Sequence, residues 1–270
     1  MLKSAVWKEA VREALFPLGC ALCGKVLYKK PSVLSGRIKK HPDSFYGLCS
    51  ACREKLLIPN MDMERCSLCG QPLISEKKTC LPCRNGPERS FDRIISLYPY
   101  MGKYQKAFAS YKFGKRLSLG NFFAEKLWQG LDLLSLSINS AELGLIPVPA
   151  RPGKIKKNGW DQIEYLAKLL EYGSPLKPEL SIPVIRCLKR LPSETQKELN
   201  RENRLQNLKG RIIVRKTRNI LSKQNVLLTV PKTAVVFDDV YTTGSTMDAC
   251  AAALKAEGAE NVYGICLCYD

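Results

Sequence analysis

The chain has a single histidine in 270 residues, 25 acidic side chains against 43 basic ones, and no long apolar run. A membrane helix needs about 20 consecutive apolar residues, so insertion into a membrane is not expected. The opening stretch MLKSAVWKEAVREALFPL scatters its charges and has no uninterrupted apolar core. It does not read as a signal peptide, and the expected location is the cytoplasm. Val6, Ala10 and Ala14, with Trp7, Val11 and Leu15, instead recur at helical spacing. The lone His41 sits among Lys29, Lys30, Arg37, Lys39 and Lys40, and reads as a residue of a basic surface loop rather than a metal ligand.

The shortage of acid leaves a formal charge of +18. Two zinc ions on eight thiolates would lower it by about four. Its distribution is uneven: residues 151–223 carry 18 Lys+Arg against 7 Asp+Glu, whereas 91–150 and 224–270 together carry 9 against 10. A regional excess fits a polyanionic partner; a solvated basic segment is the plainer alternative. Apolar content of 45% is ordinary for a globular protein.

Cysteine is abundant, and eight of the twelve fall in four CxxC pairs at 20/23, 49/52, 66/69 and 80/83. The pairs form an internal repeat. Cys20-Ala21-Leu22-Cys23-Gly24 is echoed by Cys66-Ser67-Leu68-Cys69-Gly70, and each is followed by a plainer pair ending in Arg53 or Arg84. Two residues between thiols let both sulfurs reach one tetrahedral ion at about 2.3 Å. Glycine after the second cysteine lets the knuckle curl. The repeat predicts sequential pairing: Cys20, Cys23, Cys49 and Cys52 on one zinc, Cys66, Cys69, Cys80 and Cys83 on another. An interleaved arrangement and disulfides are the competing readings, but nothing indicates an oxidising compartment. Cys187, Cys250, Cys266 and Cys268 read as buried core thiols.

Asn85-Gly86-Pro87-Glu88 marks a boundary. It divides residues 1–88, an amino-terminal helix plus a zinc-binding domain with two four-cysteine sites, from residues 89–270. Beyond it the pattern predicts strands at 91–100, 143–149, 182–188, 233–238 and 262–268. Helices are expected over 104–113, 117–134, 161–171 and 246–257, with a basic loop at 150–158. Strands alternating with helices imply an α/β fold with a mostly parallel sheet and ligands at its carboxyl ends.

The densest signal is Ala234-Val235-Val236-Phe237-Asp238-Asp239-Val240-Tyr241-Thr242-Thr243-Gly244-Ser245-Thr246. A buried strand leads to two carboxylates, then to a loop of hydroxyls and glycine feeding a helix amino terminus. Such a loop presents N–H groups and the positive end of the helix dipole to an anion. The acids must serve a neutral or cationic part of the same ligand. A sugar phosphate with vicinal hydroxyls and a divalent ion satisfies both halves.

This segment resembles the phosphoribosyl pyrophosphate (PRPP) motif of type I phosphoribosyltransferases. The whole chain resembles the ComF family of competence-associated, phosphoribosyltransferase-like proteins with amino-terminal zinc-binding cysteines. Further echoes are Tyr111-Lys112-Phe113-Gly114, Pro147-Val148-Pro149, Asn158-Gly159-Trp160-Asp161-Gln162, and Gln196 to Asn207 with Leu199, Arg201, Arg204 and Asn207. The family usually has Arg-Gly-Phe-Asn-Gln at the third of these, so no guanidinium stands at 158, leaving Lys156 and Lys157 as substitutes.

The resemblance implies a type I phosphoribosyltransferase-like domain preceded by a small zinc-binding domain. It implies that Thr242, Thr243, Gly244, Ser245 and Thr246 hold the 5′-phosphate of PRPP. Asp238 and Asp239 would take the ribose hydroxyls, steady Mg²⁺ through water and stabilise an oxocarbenium-like transition state. Pro149 and Arg151, with Lys154, Lys156 and Lys157, would form the pyrophosphate loop, and Lys112 would reach the same group. No general base is evident, and a dissociative displacement at C1 needs one less than it needs charge stabilisation. Two functions follow. One is PRPP sensing or retention in a protein that binds single-stranded DNA during uptake, natural transformation or recombination, with a competence-machinery protein as a further partner. The alternative is an active phosphoribosyltransferase of nucleotide salvage or synthesis with an unidentified acceptor. Tyr28, Phe45 and Tyr46, or Trp160 and Tyr165, lie among basic residues and could stack on bases. Aromatics so placed are also ordinary core residues.

Overall fold

A computed structural model describes residues 18–27, 43–57, 64–135, 143–173, 182–192, 210–215 and 230–270. The expected amino-terminal helix, Tyr28, His41 and the stretch Gln196 to Asn207 lie outside the described residues. By packing, the chain falls into two units. One draws on Met1–Leu57 and Met101–Phe123, the other on Ile58–Tyr100 and Ala124–Asp270.

The first unit holds the helices Asp43–Tyr46, Ser50–Lys55 and Gly102–Lys112 and the start of the helix Ser118–Ser135. Its apolar interior is aromatic: the Phe123 ring lies 5.4 Å from Tyr111 and 5.9 Å from Phe108, and all three are buried. Arg116 Nη1 donates to the Gly19 carbonyl at 2.8 Å, and Asn121 Nδ2 to that of Phe45 at 2.8 Å. The first bond reaches the knuckle that carries Cys20 and Cys23, and the second reaches the helix Asp43–Tyr46.

The second unit is built on four parallel strands in the order β1-β6-β5-β2: β1 Arg93–Pro99, β2 Leu143–Pro147, β5 Thr233–Tyr241 and β6 Asn261–Tyr269. Their runs of consecutive buried residues, such as Ala234 to Phe237, are the mark of a sheet covered on both faces. Helices Gln162–Glu171 and Ser245–Ala256 do the covering. Gly130 lets the helix Ser118–Ser135 close on Leu97 and Ile265, whose side chains a Cβ there would meet at 2.8 and 2.6 Å. Cys187, Cys250, Cys266 and Cys268 are all buried. The fold class is therefore α/β, a mostly parallel sheet flanked by helices, with a short antiparallel pair, β3 Leu188–Arg190 and β4 Ile212–Val214, beside it. Among the described residues no helix is long and apolar enough to cross a membrane.

Three local expectations shift. The strand expected over 182–188 is reduced to a bridge at Val184, since Pro183 has no N–H to give a ladder. The 150–158 loop contains one helical turn, Lys154–Asn158, set off by Gly153 and Gly159 at φ of 76° and 77°. Strand β5 runs three residues further than expected, through both acids to Tyr241, and the helix begins at Ser245.

Candidate functional site

The eight CxxC thiols gather into two sets, Cys20, Cys23, Cys49 and Cys52, and Cys66, Cys69, Cys80 and Cys83. Within each set all sulfurs lie within 4.8 Å of one another. A tetrahedral ion at about 2.3 Å from each sulfur sets S–S separations near 3.8 Å. Cys23 and Cys49 are 3.7 Å apart, and Cys69 and Cys80 are 3.6 Å apart. The repeat extends to the backbone. Cys20 N–H to Lys25 O matches Cys66 N–H to Gln71 O, both 2.8 Å, and Leu27 N–H to Leu18 O matches Leu73 N–H to Glu64 O.

Burial raises the Cys20 thiol, but the N–H groups of Cys23, Cys49 and Leu22 outweigh it and bring it down to about 6. Donors from Cys69, Cys80 and Leu68 likewise overcome burial to bring Cys66 to about 7. Burial foremost, with the neighbouring sulfurs, pushes Cys52 and Cys69 up, and Cys83 to about 12. Four thiolates cannot share so small a space without a compensating cation. Each set could hold one zinc ion, in a closed site suited to structure rather than catalysis.

The second candidate site lies where β5 leaves β2. Their register ends at Pro147 opposite Phe237, one residue before Asp238. Strand alternation sends the two acids to opposite faces. Asp238 is half-buried, and its charge acts on Arg190, Cys250 and Cys266. Asp239 is 8% exposed and turns toward the helix Gln162–Glu171, where Gln162 Nε2 donates to its Oδ2 at 2.5 Å. Its Oδ1 accepts the Val240 N–H at 2.7 Å. Gln162 Oε1 in turn accepts from Lys154 Nζ at 2.7 Å, and the same ammonium pairs with Asp161 Oδ2 at 2.6 Å. Asp161 caps this helix, its Oδ1 accepting the N–H groups of Ile163 and Glu164. A relay of Lys154, Gln162 and Asp239 thus joins the basic loop to the acidic strand.

Beyond the acids, Thr242, Thr243 and Gly244 turn the chain into the helix Ser245–Ala256. Gly244 has φ of 77°, and a Cβ there would stand 2.7 Å from Tyr241 Oη. The Tyr241 ring therefore underlies the turn. Thr243 Oγ1 and Ser245 Oγ lie 2.6 Å apart. First-turn N–H groups of a helix have no intrahelical acceptor, so this turn can receive an anion. Pro149 is half-buried and Arg151 exposed on the segment after β2.

Lys112 is the expected site residue that belongs to the other unit. It closes the helix Gly102–Lys112, with its ammonium 5.6 Å from the Phe108 ring centre and 5.8 Å from that of Phe113. Two residues escaped the sequence reading. Gln162 stood in a quoted motif without a role. Arg190, on β3, is close enough to Arg151 and Asp238 to feel both charges, and its buried Nε has no hydrogen-bond partner among the described residues. Burial and then Arg151 push its pKa down. Only the fold brings a β3 arginine to Asp238 on β5.

An α/β protein with an acidic strand end, a hydroxyl-lined turn and two four-cysteine clusters is the class that this architecture defines. No protein-family model matches the chain. Competence protein F of Haemophilus influenzae is 25% identical over 217 residues, covering 80% of this chain and 87% of that protein. Competence protein ComFC of Streptococcus pneumoniae is 24% identical over 245 residues, 90% of this chain and 96% of its own length. Competence protein ComFC of Bacillus subtilis is 24% identical over 216 residues, 78% and 79%. Over most of its length the chain thus resembles the ComF competence proteins.

Proposed function

We propose that the protein binds PRPP with Mg²⁺ at the carboxyl ends of β5 and β2 and acts in DNA uptake, natural transformation or recombination with single-stranded DNA binding. The observation that supports this most is the braced acid pair beside the hydroxyl turn. Asp239 is held by Gln162 on one face of β5, Asp238 faces the other, and a helix amino terminus follows within seven residues. Thr242 to Thr246 would take the 5′-phosphate, and Asp238 and Asp239 the ribose hydroxyls. Pro149 and Arg151 would serve the pyrophosphate. Mg²⁺ would neutralise that group's charge when bound.

The competence context rests on the names of the three relatives. On this reading residues 1–88 carry two structural zinc ions, residues 89–270 carry the sugar phosphate, and the protein works in the cytoplasm. Exposed Arg151, Lys156, Lys157 and Lys189 supply phosphate-binding charge. Trp160, three residues after Lys157 in the chain, has its ring edge-to-face with Tyr165 at 6.4 Å and would supply a stacking surface.

The ordered acid pair also favours a second reading, transfer of the phosphoribosyl group. The C1–O bond to pyrophosphate would break, pyrophosphate leaving with the electron pair, and a bond from C1 to the acceptor would form. Pyrophosphate release from PRPP with candidate acceptors separates the two. Acceptor-dependent release that is lost in Asp238→Asn/Asp239→Asn makes the protein an enzyme; tight binding without release makes it a PRPP-responsive binder.

A further inference from the structure

We infer that the second cysteine cluster and the hydroxyl turn are one mechanical unit, in which Arg89 and Tyr241 are positioning residues and metal at Cys66, Cys69, Cys80 and Cys83 fixes the shape of residues 242–248. Three connections carry this. First, the knuckle is built onto the sheet. Ile94 N–H donates to the Leu68 carbonyl at 2.8 Å, and Gly70 comes so near that a Cβ would stand 2.3 Å from the Ile94 carbonyl oxygen. Arg65 Nη1 spans the joint, donating to the carbonyls of Gly70 at 2.9 Å and Ser96 at 3.2 Å.

Second, a hydrogen-bonded path runs from the knuckle to the base of the turn. Cys66 N–H donates to Gln71 O, Gln71 Nε2 to Asp270 O at 3.0 Å, and Asp270 N–H to Tyr241 O at 3.0 Å. Tyr241 is buried in the same apolar cluster as Cys66, Cys69 and Cys80, and its ring is what a Cβ on Gly244 would strike. Tyr241 thus touches the turn with its ring and is held from the knuckle by its backbone.

Third, the segment leaving the knuckle clamps the turn from both sides. Arg89 Nη2 donates to the Thr243 carbonyl at 3.2 Å, and Ser90 N–H donates to Asp248 Oδ1 at 2.7 Å. Thr243 precedes Gly244, and Asp248 ends the first helical turn beyond it, so this stretch is spanned by adjacent residues 89 and 90. The Arg89 Nε and Nη1 atoms are buried without a hydrogen-bond partner among the described residues. Without the ion the thiolates repel, the anchors at Gly70, Gln71 and residues 84–90 loosen, and the turn loses its supports together. The first cluster, Cys20, Cys23, Cys49 and Cys52, belongs to the other unit and serves as the matched control.

The test is amide hydrogen exchange on the full-length, zinc-loaded protein without ligand, so it stands apart from whether PRPP binds. Cys83→Ser and Cys23→Ser each remove one ligand from one cluster, and metal analysis verifies the loss of one zinc. Exchange over residues 242–248 should rise at least about tenfold in Cys83→Ser and remain as in the wild type in Cys23→Ser. Arg89→Ala covers the case in which Cys83→Ser fails to fold. It should keep both zinc ions and the wild-type melting temperature within about 2 °C, while exposing 243–248 to exchange. Arg89→Lys should recover part of the protection. Equal exchange over 242–248 in Arg89→Ala and wild type, or in Cys83→Ser after verified zinc loss, would overturn the inference.

Discussion

Gln162 Nε2 donates to Asp239 Oδ2 at 2.5 Å, and both residues are buried. The helix Gln162–Glu171 thereby reaches across to β5 and fixes one of its two acids. Because Lys154 Nζ grips the other end of the same amide at 2.7 Å, the orientation of Gln162 is set: its oxygen faces the ammonium and its nitrogen the carboxylate. Leaving a buried carboxylate short of a donor costs roughly 1–3 kcal/mol. Gln162→Ala should therefore weaken Mg²⁺-dependent PRPP binding by roughly tenfold or more, measured calorimetrically. Gln162→Glu, which sets a second carboxylate against Asp239, should weaken it further. Wild-type affinity in both variants would remove Gln162 from the site.

Gly244→Ala tests the turn. The left-handed φ of 77° disfavours any Cβ by about 1–2 kcal/mol, and the Tyr241 ring stands in its way at 2.7 Å. The variant should unfold several degrees below the wild type, and Tyr241→Leu in the same chain should relieve the contact but not the backbone strain. Calorimetric melting of the single and double variants would reveal a partial recovery. An unchanged melting temperature in Gly244→Ala would show the turn to be built differently.

Thiol chemistry should divide the cysteines cleanly. Burial pushes Cys187 up to about 11 and holds Cys250 and Cys266 well above the ordinary thiol value. Such groups are thiols, not nucleophilic thiolates, at pH 8. The zinc-loaded native protein should react slowly with an aromatic disulfide reagent, and all twelve cysteines should react once it is denatured. A raised folded value also sets the direction of the pH dependence. Its stabilising effect is complete below the unfolded thiol value of 9.0 and is lost as pH rises toward the folded value. Denaturant midpoints should accordingly fall above pH 9. A rising midpoint there would contradict the burial.

Single-stranded DNA binding, if it uses the exposed Arg151, Lys156, Lys157 and Lys189, should weaken linearly with the logarithm of salt. Lys156→Ala/Lys157→Ala should reduce that slope by roughly one to two units, read by fluorescence anisotropy at several salt concentrations. Trp160→Ala should weaken binding at every salt concentration without changing the slope. A salt-independent association would point away from a phosphate-reading surface.

Much of this was legible in the sequence because it was written in short, local patterns. The CxxC repeat named both thiol sets, since equal spacing and equal following residues make equal knuckles. The unbroken apolar run from Ala234 to Phe237 announced a doubly covered strand. What was not legible depended on residues far apart meeting. Strand β5 continues through Asp238 and Asp239 because β6 pairs with it as far as Tyr269, a partner invisible in local periodicity. Nothing near Arg190 marks it as a neighbour of Asp238; the β3–β4 pair carries it there. Gln162 looked like an ordinary first residue of a helix until its amide was seen between an ammonium and a carboxylate. Likewise, Pro183 turned a plausible apolar strand into a single bridge.

The central claim is that residues 238–246 hold a sugar phosphate with pyrophosphate and Mg²⁺. Titration calorimetry with PRPP, with and without Mg²⁺, tests it most directly in the wild type and in Asp238→Asn/Asp239→Asn at two zinc ions per chain. The account predicts one Mg²⁺-dependent site per chain in the wild type and at least about a hundredfold weaker binding in the double variant, or roughly 2.7 kcal/mol. Equal binding by both proteins, or no binding by a folded, zinc-loaded wild type, would contradict it.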